Sequence, residues 1–335
     1  MEHILKQKSL VPIPTQHKFK KVKKTKRTKR LIEPIDSPCR FSEVSKKTNV
    51  VINVIFLILA SAAVIPFVFV LMISLTSEQS IRTFGYQFIP NQLSLDSYRF
   101  LLREIASIGR AFGVSIFVTV VGTSIGVTLT TLMGYVLSRK EFKLKGFYTY
   151  FIFIPMIFNG GMLASYVVNT QVLGLGNSIW ALILPLSVSS FNVVICRTYF
   201  QTAIPDSIVE SAKIDGASPF RTFIQIVMPL AKPMIATIAL FLSFGYWSDW
   251  FQSSLYITNS NLFSLQALLD NIQRSLEFIT NNPSVGASLA QYRVNMPQEG
   301  VRMAMAVLII APIACSYPFF QKYFISGLTV GAVKG

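Results

Sequence analysis

Charge-free stretches alternate with short polar ones along this chain. No Asp, Glu, Lys or Arg occurs in the 30 residues between Lys47 and Glu78, the 28 between Arg110 and Arg139, or the 51 between Lys145 and Arg197. Gaps of 16 and 19 residues follow, between Lys232 and Asp249 and between Arg302 and Lys322. A membrane-crossing helix takes roughly 20 apolar residues, so the longest gap holds two, parted at the polar, glycine-bearing segment 169–178. Six spans are predicted, near 50–75, 111–137, 147–168, 178–199, 233–253 and 303–322. The fold class is an all-α integral membrane protein with six transmembrane helices.

Finer patterns lie on and between these spans. Segment 93–102 (LSLDSYRFLL) predicts a short helix from Ser94 to about Arg103. The second span carries Gly113, Ser115, Gly122, Ser124 and Gly126, small residues that let helices approach closely, so it is expected inside a bundle. A solute path beside it is the other reading. Pro155 and Asn159-Gly160-Gly161 predict a bend in the third span, serving either packing or a substrate path. Segment 204–233 reads as two short helices joined by a sharp turn. Ser207 and Glu210 have capping-box spacing, Gly216 suits a left-handed C-cap, and Ser218-Pro219 suits N-cap and first helical residue. Phe220, Phe223, Ile224 and Val227 form the apolar set of an amphipathic helix expected to end before Pro229.

Composition agrees with a membrane protein: 52% of the 335 residues are hydrophobic and 14% charged, against about 25% charged in soluble domains. Placing the N-terminus in the cytoplasm puts 24 Lys and Arg inside and 7 outside, which favours that orientation. Both termini and segment 204–233 are then cytoplasmic, and segment 254–300 is external. Residues 1–48 form a basic region, with nine Lys or Arg in the thirteen residues 18–30, and are expected to be disordered. Attraction to anionic membrane lipid is preferred over nucleic-acid binding for this tail, since a span follows at once. Cys39, Cys196 and Cys315 offer neither a disulfide framework nor zinc spacing, and His3 and His17 lie in the tail, so no metal site is expected.

The spacing Glu210, Ala212, Ile214, Asp215, Gly216, Ala217, then Phe223, Ile226, Pro229, Leu230 and Pro233 resembles the EAA loop of permease subunits of bacterial ABC importers. Ser211 departs from it, standing where that motif has a second alanine. Segment 320–335 (FQKYFISGLTVGAVKG) resembles the ending of the carbohydrate-uptake branch, the tailed permease subunit of the maltose importer included. The resemblance implies a type I ABC importer permease architecture and covers roughly residues 50–335. It divides the chain into a cytoplasmic tail (1–48), a first span with external segment (49–108), a permease core (109–322) holding the coupling loop 204–233, and a C-terminal tail (323–335).

The resemblance also implies partners: a second homologous permease, two cytoplasmic ATPase subunits and an extracytoplasmic solute-binding protein, within the cell membrane. Glu210, Ala212, Asp215 and Gly216 would meet the ATPase, and Gly327 and Gly331 would lie in a tail contact. No P-loop spacing G-x-x-x-x-G-K-[ST] occurs, so this chain is expected to bind no cofactor, with ATP and magnesium held by the partner ATPases. The span centres carry no ionisable residue of the kind a proton- or sodium-coupled transporter uses, which disfavours the secondary-transporter alternative. The solute implied is a sugar, an oligosaccharide foremost, with a non-sugar solute as the alternative. Ser243, Tyr246, Trp247 and Trp250 recur at three- and four-residue steps with Asp249 at the margin, a face suited to stacking sugars and bonding their hydroxyls. An interfacial aromatic belt is the plainer reading of the same residues. With Asn159 they make the candidate solute path.

Overall fold

In the computed structural model, residues 45–281 and 298–332 are described. The expectations for the basic tail therefore lie outside the described residues, except at Lys46 and Lys47, which open a helix. That helix is α1 (Lys46–Ser74), and residues 45–61 form a unit of their own. In this unit the apolar side chains from Val50 to Leu59 are all exposed, as befits a helix solvated by lipid.

The chain from Ala62 onward makes the other unit. After α1 come α2 (Glu78–Phe84) and α3 (Asp96–Arg103), the latter where segment 93–102 predicts it. The long α4 (Ile105–Ser138) is followed by α5 (Lys145–Ile157) and α6 (Gly161–Val167), the last running into a π turn at Val168–Val172. Next are α7 (Trp180–Ser187), α8 (Ser190–Ala203), α9 (Asp206–Ile214), α10 (Pro219–Thr222) and α11 (Met228–Leu230). The chain continues through α12 (Lys232–Ser248), α13 (Phe251–Tyr256), α14 (Leu265–Asn281) and α15 (Gln298–Ala332).

The spans are less regular than the charge gaps suggest. Among the described residues α1, α4 and residues 298–316 of α15 are each long and apolar enough to cross a membrane. The fourth predicted span is two helices, α7 and α8, bent by 46°. The third is broken outright after Phe158, where Gly161 adopts φ +81° and donates its N–H to Asn159 Oδ1 at 2.8 Å. The bend expected there is thus a local side-chain-capped break, and Asn159 is exposed beside it. The fifth ends at Ser248 rather than 253, because Asp249 leaves helical geometry and accepts from the N–H of Gln252, at the start of α13. The last expected span and the C-terminal tail are one helix: α15 runs without interruption to Ala332, so Gly327 and Gly331 lie on its backbone.

The core forms where α4 packs along α12, α8 and α7. Glycines permit this approach. A Cβ on Gly122 would strike the Tyr246 ring, one on Gly126 would lie 2.6 Å from the Ser187 carbonyl, and one on Gly134 would lie 2.5 Å from Cys196 Cβ. Gly113, by contrast, faces open space. Of the external segment 254–300, the described part places α14 on α4 and α15. Hydrogen bonds from Tyr86 to Glu299 (2.8 Å) and from the Gly300 N–H to Glu78 (3.2 Å) tie the α1–α3 connection to the start of α15.

Candidate functional site

The turn between α9 and α10 is built by its own residues. Asp206 in the first turn of α9 and Lys213 in the last suit the helix dipole. Gly216, at φ +78°, donates to the Lys213 carbonyl (3.1 Å) while the Ala217 N–H reaches the Ala212 carbonyl (2.9 Å), the paired bonds of a Schellman end. Ser218 then accepts from the Arg221 N–H at 3.3 Å, with Pro219 beginning α10. Two expectations fail. Pro205, not Ser207, occupies the N-cap position, no side chain caps α9, and Glu210 extends into solvent, so the capping box does not form. The second helix widens into a π turn at Phe223–Val227 and continues through Pro229, which sits at the start of α11 where a missing N–H is tolerated. The apolar set divides: Phe223 and Val227 enter the core, while Phe220 and Ile224 remain exposed.

Ion pairs fasten α9 to the connection between α4 and α5. Lys140 Nζ lies 2.9 Å from Asp206 Oδ2, Arg139 Nη1 lies 3.5 Å from Oδ1, and Lys213 Nζ donates to Glu141 at 3.0 Å. Hydrogen bonding to Lys140 and its charge hold the Asp206 carboxyl below the usual carboxylate range. Arg139 is 14% exposed; its guanidinium also stands 5.0 Å from the Tyr135 ring centre and donates to the Phe200 carbonyl at 3.3 Å. In the sequence Arg139 and Lys140 stand only among the basic residues that favour a cytoplasmic N-terminus. Here they join both connections into one surface.

Of the residues expected to meet an ATPase, Glu210, Asp215 and Gly216 are exposed on this surface. Ala212 is not. At 5% exposure it faces its own chain, so its small side chain permits close packing within the permease rather than across an interface. Apolar groups that project here include Ile214, 86% exposed, Phe220 and Ile224.

At the opposite end of α12 the expected path residues separate. Tyr246 is buried and donates to the Ile183 carbonyl at 2.7 Å, so it holds α12 to α7 instead of lining a path. Trp247 is buried too, with Nε1 donating to the Ile309 carbonyl at 3.1 Å. Ser243 and one side of Trp247 do face a groove of about 400 Å³ between α4, α12 and α15. Thr119, Thr123 and Ser316 also line it, and the Thr119 and Thr123 hydroxyls have no hydrogen-bond partner among the described residues. Those threonines escaped the sequence reading because nothing in a threonine-rich helix marks which face is hollow. Trp250 and Asp249 lie past the end of α12, outside this groove.

Comparison with known proteins fits this arrangement. Residues 126–330 match the family described as binding-protein-dependent transport system inner membrane component. The chain is 35% identical over 286 residues to Protein LplC of Bacillus subtilis, covering 85% of this chain and 94% of that protein. It is 36% identical over 279 residues to the polygalacturonan/rhamnogalacturonan transport system permease protein YtcP of the same organism, covering 83% and 95%. Its fold resembles a chain in the crystal structure of a bacterial ABC transporter involved in the import of the acidic polysaccharide alginate. That match has a TM-score of 0.71 at 25% identity, over 84% of this chain and 99% of that one. This chain therefore belongs to the family of inner membrane components of binding-protein-dependent transport systems: it is a membrane-embedded, non-catalytic permease subunit of an ABC importer, working with an ATPase and a solute-binding protein.

Proposed function

We propose that this subunit imports an oligosaccharide, pairing with a second permease and two ATPase subunits, and that the α9–α10 turn is where ATP hydrolysis is coupled to the membrane helices. The observation that carries the coupling role is the turn itself: a Schellman end and an N-cap back to back, fastened by three ion pairs to the neighbouring connection. Such an element moves as a unit, and it projects Ile214, Phe220 and Glu210 to a partner. It is joined to the bundle through Phe223, Val227 and Ala231, which pack with Tyr135 and Phe200, so displacement of the turn reaches α4, α8 and α12 together. The basic-residue asymmetry supports six spans with both termini and the turn in the cytoplasm.

The carbohydrate assignment is supported by the polymers named for YtcP and for the alginate importer. Uptake assays decide it. Cells lacking this chain should lose uptake of one class in a panel of labelled neutral and acidic oligosaccharides and recover it on complementation. Unimpaired uptake of every oligosaccharide, with loss of some other solute, would assign the importer elsewhere.

A further inference from the structure

The seam between α4, α5 and α8 holds a cation that the rest of the chain leaves unpaired. Val193 on α8 packs with Leu137 on α4 and Ile152 on α5. The approach is close: a Cβ on Gly134 of α4 would lie 3.1 Å from the Arg197 backbone nitrogen. Arg197 follows Val193 by four residues, so it stands one turn nearer the α9–α10 turn on the same face of α8. Lys145, at the start of α5, shares the face of that helix that carries Ile152, at a seven-residue step.

Arg197 is half-buried, and its Nε is sealed from solvent without a hydrogen-bond partner among the described residues. Its terminal nitrogens make no hydrogen bond or ion pair there either, but they are not sealed in with it, so they are the atoms a ligand can reach. Arg197 precedes the end of α8 at Ala203 by six residues, about 9 Å of helix, which puts its Cα near the boundary of headgroups and hydrocarbon. A guanidinium at that depth keeps its charge and needs an anion. The neighbouring acids are already engaged. Glu141, the one acid of segment 139–145, pairs with Lys213, and Asp206 pairs with Lys140 and Arg139. Lys143, Lys145 and Arg197 have no ion-pair partner among the described residues.

The surface beside the seam selects the anion. Beyond Lys145, α5 presents Phe147, Tyr150, Phe151 and Ile154, all exposed and spaced at three- and four-residue steps. A phosphate carrying an apolar chain matches both the cations and this strip, whereas a free phosphate matches the cations alone. The two unpaired lysines disfavour a headgroup that brings its own cation.

We propose that the α4–α5–α8 seam binds one anionic phospholipid, with the terminal nitrogens of Arg197 on its phosphate, Lys145 beside it and an acyl chain along the exposed strip of α5. The test uses the complete importer in nanodiscs of dioleoyl-phosphatidylcholine. With Cys39, Cys196 and Cys315 replaced by serine, a bimane is attached at Gly146→Cys, where a side chain meets open space. Phosphatidylglycerol bearing a nitroxide on an acyl chain should quench it at least twofold more than phosphatidylcholine labelled alike, at equal mole fraction. At Leu230→Cys, across α8 where the Leu230 carbonyl accepts from Tyr199 at 3.4 Å, the two lipids should quench equally. Arg197→Gln should abolish the preference at position 146, and Arg197→Lys should keep part of it. Equal quenching at 146 with Arg197 intact, or a preference that survives Arg197→Gln, would overturn the site. A preference present in the isolated chain and lost on assembly would overturn it too, giving Arg197 to a partner subunit's carboxylate. Inorganic phosphate competing as well as unlabelled phosphatidylglycerol would replace the lipid with a soluble anion.

Discussion

Arg139 is the residue on which the cytoplasm-assigned surface converges. It serves the Tyr135 ring, the Phe200 carbonyl and the Asp206 carboxylate at once, from a mostly buried position. Lysine keeps its charge but loses the planar fork that reaches several partners together. Arg139→Ala should therefore destabilise the purified chain by about 1.5–3 kcal/mol, the range for hydrogen bonds to charged groups. Arg139→Lys should recover only part of this in the thermal midpoint. Asp206 adds a pH dependence. Its folded-state value is lowered, so its contribution is complete above the ordinary value of 3.8 and is lost as pH falls through the lowered one. The stability difference between wild type and Asp206→Asn should be flat from neutral pH down to about 5 and shrink below about 4. A difference that grows on acidification would contradict the pairing with Lys140.

At the scale of elements, two glycines of the bundle and one of the turn make separable predictions. A Cβ on Gly216 meets nothing within 4 Å, so Gly216→Ala should cost only its left-handed backbone, about 1–2 kcal/mol. Gly122→Ala should cost about 1–3 kcal/mol by forcing Tyr246 off α4, while Gly113→Ala, in open space, should be neutral or stabilising by up to about 1 kcal/mol. Thermal unfolding of the three variants distinguishes backbone strain, overpacking and helix propensity. These contrasts also show what the sequence could carry. The Gly216 turn and the Ser218 cap were legible because a few adjacent residues decide them. Gly113 and Gly122 read alike, since only the position of Tyr246, more than a hundred residues away, separates them. The capping box fails by register: α9 begins at Asp206 with Pro205 as N-cap, so Ser207 lies inside the helix. Phe220 and Ile224 belong to the apolar set by spacing yet are exposed, because a local period says which residues share a stripe and not which part of it the bundle covers. Tyr246 and Trp247 were read as path residues for their chemistry, but their polar atoms are used to fasten α12 to α7 and α15.

For the whole molecule, fold class and family were legible in the charge-free gaps and the EAA-type spacing, while the hollow places were not, because they depend on how helices distant in sequence meet. The proposed orientation predicts opposite faces for two single cysteines in a background without Cys39, Cys196 and Cys315. Ser218→Cys should react with an impermeant maleimide only after the membrane is opened, and Gln87→Cys without opening; reaction of both in intact cells would refute it. The turn's coupling role is tested most directly by ATP hydrolysis in proteoliposomes holding the complete importer. Gly216→Pro cannot adopt φ +78° and removes the N–H bonded to Lys213, so it dismantles the turn while leaving the bundle's packing residues in place. Solute-loaded binding protein should stimulate hydrolysis by the wild-type importer and leave the Gly216→Pro importer at its unstimulated rate. Full stimulation of the variant would contradict a coupling role for the α9–α10 turn.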